Sequence, residues 1–408
     1  MASQSDLVSS SQLPQSELAP EILEALNFER SMWVTGSVHT DPFYTLVLKS
    51  PSDSSLPGTL LKVQETVDPT LYSLPSSVSI SRIISQSLTL TGDPVPVSVY
   101  ILWALLPRRN SDGSSQIVAW AHGTSGISSE CAPSHLRNLY QHFFAFYLLV
   151  LSGYVVVATD FAGLATEPTN HSPPGHYLAN PAAANDVIYS ILAAHSAFPS
   201  LGSKFVSISH SQGGGAVWAI AQHHAKENIE GYLGGVAISP TTDIRSNFDP
   251  IGAVVWAVMM LGLKNVFPQF QYSDVFTEEG FAALNAYKDI ERGGAVGRFI
   301  HEEKDQLIDF TLTEKAVYYI AMKYHDSELE FIRLSTTHDS AMTGSQWIWM
   351  DWIRARFEGK VTDKCGEMPS EKWEISWERS VVLERLKESY GIETNWLMAR
   401  ATEFYPKF

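Results

Sequence analysis

Apolar residues fall along this chain in short runs separated by amphipathic stretches, and that rhythm predicts its elements. Runs at residues 60–67, 80–90, 95–105, 116–121, 154–159, 204–208, 233–239 and 331–335 read as strands. The later runs are apolar without alternation, as strands covered on both faces of a parallel sheet are. Helical patterns at 136–151, 181–197, 214–226 and 342–357 fall between them. Strands alternating with helices predict a right-handed, doubly wound, mostly parallel α/β sheet. The early strands, folded about Thr91-Gly92-Asp93, read as an antiparallel hairpin leading into it.

Two segments break the alternation. Residues 247–297 are mainly helical in pattern and rich in apolar side chains such as Trp256, Met259, Met260, Phe267 and Phe270. The last segment, 361–408, carries Trp373, Trp377 and a helix-like stretch at 381–390. With a Ser- and Pro-rich start, the expected organisation is an N-terminal arm (1–56), an α/β core (57–246 and 298–360), a helical lid (247–297) and a C-terminal extension (361–408).

Composition narrows the class. The 408 residues are 45% hydrophobic and 18% charged, which is ordinary for a folded protein. A net charge of −16 repels phosphates and argues against nucleic acid or an anionic membrane as partner. The longest apolar run, 143–158, is interrupted by Ser152-Gly153, and 251–263 is too short to span a bilayer. The start of the chain shows neither a basic region nor an apolar core, so no export signal is read and a cytoplasmic location is expected. Cys131 and Cys365 cannot build a disulfide framework; they read as two thiols in a reducing compartment, with one bridge as the alternative. There is no Cys pair at ligand spacing, no H-E-x-x-H and no P-loop, so no metal or cofactor is expected.

The chemistry concentrates at Ser209-His210-Ser211-Gln212-Gly213. A strand runs into it and a helix pattern leaves it, which is the setting of a nucleophile elbow. Small residues two positions either side of Ser211 let the backbones pass, although the first is Ser209 where glycine is usual. A serine hydroxyl needs a base, and the base needs an acid to orient it. In this fold the acid and then the histidine follow the serine along the chain. His338, after the run at 331–335, stands where the base belongs. Asp305 has the order expected of the acid, with Asp309, Glu303 and Asp326 as rivals. An oxyanion requires two backbone N–H donors. Gln212 supplies one, and the loop Ala121-His122-Gly123-Thr124 supplies the other, from Gly123 or Thr124. His122, His210, Trp256, Met259 and Met260 are expected around the substrate.

The chain resembles the secretory-lipase family of α/β-hydrolases over roughly residues 41–360. The matching pieces are Asp41-Pro42-Phe43-Tyr44, Pro57-Gly58-Thr59-Leu60, Ala121-His122-Gly123-Thr124-Ser125-Gly126 and Cys131-Ala132-Pro133-Ser134, then residues 153–164, His210-Ser211-Gln212-Gly213-Gly214 and residues 345–353. The resemblance implies an α/β-hydrolase fold with a helical lid and a Ser/Asp/His triad. It lays the family's acid on Asp305, with His301-Glu302 standing where the family has Gln-Gly. Lacking an export signal, the chain is more similar to hydrolases and acyltransferases of fungal natural-product pathways than to exported lipases; that point rests on family analogy.

The expected function is an intracellular serine hydrolase acting on an ester or thioester of a mainly apolar small molecule. An acyltransferase or cyclase/lyase in the same pocket is the first alternative. A catalytically inactive binding protein on the same scaffold is the second. The extension is expected to cover the lid or to form a homodimer contact.

Overall fold

The structure is a computed structural model that describes residues 27, 30–46, 56–126, 128–140, 145–166, 176–243, 259, 260, 262, 263, 266, 267, 269–280, 308, 310–323, 329–332, 338 and 340–360. Seven strands form one sheet: β1 (Leu60–Gln64), β2 (Val78–Leu88), β3 (Pro94–Ala104), β4 (Ser115–Ala121), β5 (Val155–Thr159), β6 (Leu201–His210) and β7 (Tyr232–Ile238). The spatial order is β1-β2-β3-β5-β4-β6-β7. The first three strands pair antiparallel and join β5 antiparallel. Strands β5, β4, β6 and β7 run parallel to one another. Strand β4 therefore lies inside the parallel part of the sheet, with the carboxyl ends of β4 and β6 side by side.

Helices cover both faces, which is why β4 and β5 carry the unbroken apolar runs Ile117–Ala121 and Val155–Ala158. On one face α1 (Phe146–Leu151) buries Phe146 and Leu149 against Tyr100, Trp120 and Val156. On the other, α2 (Asn180–Ala197) and α3 (Gln212–Glu227) pack Val187, Ile191, Ala216 and Ile220 on Ile117, Ala119 and Phe205. Further helices follow: α4 (Phe310–Lys323), α5 (Ser340–Gly344) and α6 (Gln346–Phe357). Helix α6 packs against β6 and β7 and adds Trp349 and Ile353 to the core that α1 helps to form. Among the described residues no helix is long and apolar enough to cross a membrane.

The seven strands expected before residue 240 are present, and β2 and β3 form the hairpin about Gly92. Three expectations change. The helix expected over 136–151 begins only at Phe146. Upstream, the backbone is taken by residues distant in sequence: Arg137 N–H donates to the Met32 carbonyl and Ser73 N–H to the Arg137 carbonyl. Leu139 and Tyr140 then adopt positive φ, 53° and 45°, which no helix continues through. Of the strand expected at 331–335, Phe331 and Ile332 are not in strand and the remainder lies outside the described residues. The helix expected over 342–357 is two helices divided at Ser345, whose hydroxyl donates to the Ala341 carbonyl.

Part of the N-terminal arm is built into the core. Val38, Phe43 and Tyr44 are buried. Arg82 of β2 meets the Asp41 carboxylate at 3.0 Å and lies over the Phe43 ring. The Glu130 carboxylate accepts from Val38 N–H at 3.0 Å and meets His135 at 3.1 Å. Tyr44 and Tyr72 both reach Ser134, whose own N–H donates to Asp160. The motifs at 41–44 and 131–134 are thus a clasp between arm and sheet.

One buried acid makes stability depend on pH. Asp186 accepts from Ser87 Oγ at 2.5 Å and from Ala162 N–H at 2.9 Å, and burial pushes its carboxyl up to about 7 against those bonds. Its unfolded value is about 4. Between about pH 4 and pH 7 the folded chain keeps a proton that the unfolded chain has released, so this contribution is full below pH 4 and is lost as pH rises through 7. Asp160, pushed up to about 6 by burial, adds the same sign. His122, pushed down to about 4 by burial, acts oppositely between pH 4 and 6.5. Asn at 186 presents the donor and acceptor pattern of the protonated acid. Asp186→Asn is therefore expected to melt with the wild type near pH 5 and above it at pH 8. Thermal melts at both pH values check this; an equal offset at both contradicts it.

Candidate active site

Ser211 stands between β6 and α3 with φ 58° and ψ −123°. That conformation is open to glycine and strained for residues with a Cβ. Its surroundings hold it there. Ser211 N–H donates to the Ile238 carbonyl at the end of β7, and the Ser211 carbonyl accepts from Gly215 N–H, both at 3.0 Å. A Cβ at Gly213 would lie 2.2 Å from the Ala121 carbonyl oxygen and 2.0 Å from Ser209 Oγ, so the crossing of α3 over β4 excludes any larger residue. Ser209 itself is fully buried and its hydroxyl donates to the Ala121 carbonyl. Serine at the first small position is therefore a tie between β6 and β4.

His338 is buried beside this turn. Its backbone carbonyl accepts from His210 Nε2 at 2.9 Å and from Ser239 Oγ at 3.4 Å. The His210 and His338 ring centroids are 4.4 Å apart. The structure thus brings the base candidate against the residue that precedes the nucleophile candidate. Asp305 and its rivals Glu303, Asp309 and Asp326 lie outside the described residues, as does Trp256.

The candidate oxyanion loop follows β4. His122 Nδ1–H donates to the Gly123 carbonyl at 2.6 Å. Burial pushes His122 down to about 4, so the ring is neutral at pH 7, and it packs 4.3 Å from the Phe161 ring. The Thr124 carbonyl accepts from Tyr140 Oη, and Thr124 Oγ1 lies 3.0 Å from Tyr177 Oη. Among the described residues the backbone N–H groups of Thr124 and Gln212 take no protein partner. For Gln212 the reason is general: the first N–H groups of a helix have no intrahelical acceptor, and they carry the positive end of its dipole.

His122 and His210, expected around the substrate, are each 1% exposed and hold backbone carbonyls. Met260 is buried and Met259 half-buried on helical residues of the segment 247–297, and no described contact joins them to Ser211. Sequence reasoning missed Ser239, Tyr140 and Tyr177. Tyr140 fell inside an expected helix, and nothing local marks Ser239 or Tyr177. Backbone conformation does mark two of them: Tyr140 and Ser239, like Ser211, are non-glycine residues at positive φ. A strained turn bearing a hydroxyl, a buried imidazole nearby and N–H donors at a helix start can support acyl transfer.

No family model matches this chain, and no curated protein matches its sequence. Its fold is shared with solved structures. Lipase A of Candida antarctica superposes with a TM-score of 0.64 at 13% identity, over 82% of this chain and 90% of that one. The same lipase in its closed state gives 0.60 over the same shares. A protein of Legionella pneumophila described as a candidate hydrolase gives 0.55 at 14% identity, over 74% of this chain and 100% of that one. The fold common to them is the α/β-hydrolase fold.

Proposed function

We propose that this α/β-hydrolase-fold chain is a serine hydrolase that cleaves an ester or thioester of a mainly apolar small molecule. The observation that carries the reading is the backbone of Ser211, held at φ 58° and ψ −123° by bonds to β7 and α3. Strain of this kind costs about 1–3 kcal/mol and persists where function uses it. In the proposed reaction Ser211 Oγ attacks the acyl carbon while His338 takes its proton. Asp305 orients the imidazole. The oxyanion lies between the N–H groups of Thr124 and Gln212. The leaving alcohol or thiol takes the proton back from His338 as the bond to it breaks. Water then repeats the sequence on the acyl-enzyme and releases the acid. The methionine and aromatic side chains of residues 247–297 fit an apolar acyl group.

A fluorophosphonate probe tests the reading, because it reacts only with an activated serine. The wild type is expected to label on Ser211, with Ser211→Ala and His338→Ala unlabelled. Peptide mapping by mass spectrometry locates the adduct. No labelling of the wild type, or equal labelling of Ser211→Ala, defeats the proposal.

A further inference from the structure

His210 and His338 are 128 positions apart, yet a hydrogen bond of 2.9 Å joins them. The acceptor is a backbone carbonyl, which has no proton to give, so His210 Nε2 carries the proton. Both side chains are buried, and their rings meet at 4.4 Å with an interplanar angle of 54°. A second donor, Ser239 Oγ at the end of β7, approaches the same carbonyl at 3.4 Å. The base loop is therefore gripped from the carboxyl ends of two neighbouring strands.

We infer that His210 is a positioning residue for the base: its Nε2–H holds the His338 carbonyl and so sets where the His338 imidazole meets Ser211. The inference rests on the proposed roles of Ser211 and His338. His210 is covalently next to Ser211, so a bond from its ring ties the base loop to the nucleophile through a few covalent links. Without it the tie rests on the longer Ser239 contact at 3.4 Å, which reaches Ser211 only through Ile238 and β7. The chemical state of the ring suits this task. Burial, with the neighbouring His338 acting in the same direction, pushes His210 well below the usual imidazole value. A neutral ring then lies beside the place where imidazolium forms during acyl transfer, and adds no like charge there.

Misplacing a catalytic group by about 1 Å costs about 10²-fold in rate. The test uses two variants of the full chain. Met in place of His210 keeps much of the volume and has no donor; Gln carries an amide N–H₂ near the position of Nε2. With a p-nitrophenyl ester, His210→Met is expected to lose about 30- to 100-fold in kcat with KM within about 3-fold. His210→Gln is expected to recover most of the loss. Fluorophosphonate labelling rates are expected to fall in parallel with kcat. A His210→Met kcat within about 3-fold of wild type, or a His210→Gln as impaired as His210→Met, overturns the inference. Should His210→Met fail to fold, ¹⁵N NMR of the wild-type imidazoles at pH 8 decides. The Nε2–H tautomer at His210 is expected, and an Nδ1–H tautomer overturns the inference. The two readings fail separately. A wild type that does not label removes the triad and the positioning role together. A wild type and a His210→Met that label equally fast remove the positioning role alone.

Discussion

Replacing Ser211 with glycine is expected to abolish ester hydrolysis and to raise the melting temperature in the same step. The loss follows from the role proposed for Ser211: without Oγ the proposed acyl-enzyme cannot form, and kcat is expected to fall by about 10⁴-fold or more. The gain follows from the backbone. At φ 58° and ψ −123° a Cβ is strained, and glycine at that position is not. Relief of about 1–3 kcal/mol is opposed by about 0.5–1 kcal/mol from the greater freedom of glycine in the unfolded chain, leaving a net gain. Ser211→Ala separates the two effects. It loses the hydroxyl and keeps the Cβ, so it is expected to be as inactive as Ser211→Gly and to melt below it. Calorimetry on the three proteins checks the order. A Ser211→Gly that melts at or below Ser211→Ala shows that the turn stores no strain. Natural proteins give up stability in this way where a reactive group must be presented.

The second large effect is expected at Gly213. A Cβ there would meet the Ala121 carbonyl at 2.2 Å, the His122 carbonyl at 2.7 Å and Ser209 Oγ at 2.0 Å. Two of these atoms are backbone on β4 and its loop, and they cannot swing aside. Gly213→Ala is expected to force α3 away from β4, at a cost of about 3 kcal/mol or more. Because Gln212 and the 122–124 loop flank that contact, activity is expected to fall further than stability. Gly215→Ala makes the same chemical change in a different setting. Its Cβ would meet Thr241 Oγ1 at 2.3 Å and the Asn180 amide at 2.6 Å, which are side-chain ends able to move. It is expected to be the milder variant by both denaturant midpoint and kcat. Equal damage from the two substitutions would show that the crowding at β4 is not what selects glycine.

The parts of the molecule legible in the sequence share one physical character: their causes lie within a few residues. Strands β4 and β5 carry continuous apolar runs because helices cover both faces, and that pattern is written along each strand. The turn at Ser211 is read from a strand, small residues and a helix in immediate succession. The hairpin of β2 and β3 is read from Thr91-Gly92-Asp93, with Gly92 at φ 86°. Where the cause is a distant partner, the reading failed or was silent. The pattern from 136 onward looks helical, yet Arg137 bonds through its backbone to Met32 of the arm and to Ser73. Helix α4 went unread because Thr311, Thr313 and Val317 are β-branched and weak helix formers. Burial of Leu312, Thr313 and Val317 selects the helix there.

The same division runs through the site. By itself the sequence marked the turn at Ser211 between a strand and a helix, the loop after β4 and the chain order that makes Ser211 and His338 candidates, because each is set by local sterics and chain order. Only the tertiary structure decided that His210 holds the His338 carbonyl, that Tyr140 and Tyr177 hold Thr124, and that the arm is clasped into the core through Asp41 and Arg82. Those contacts join residues from about 16 to 128 positions apart. Periodicity reports which face of an element is buried; which polar group waits on that face is known only once the chain has closed on itself.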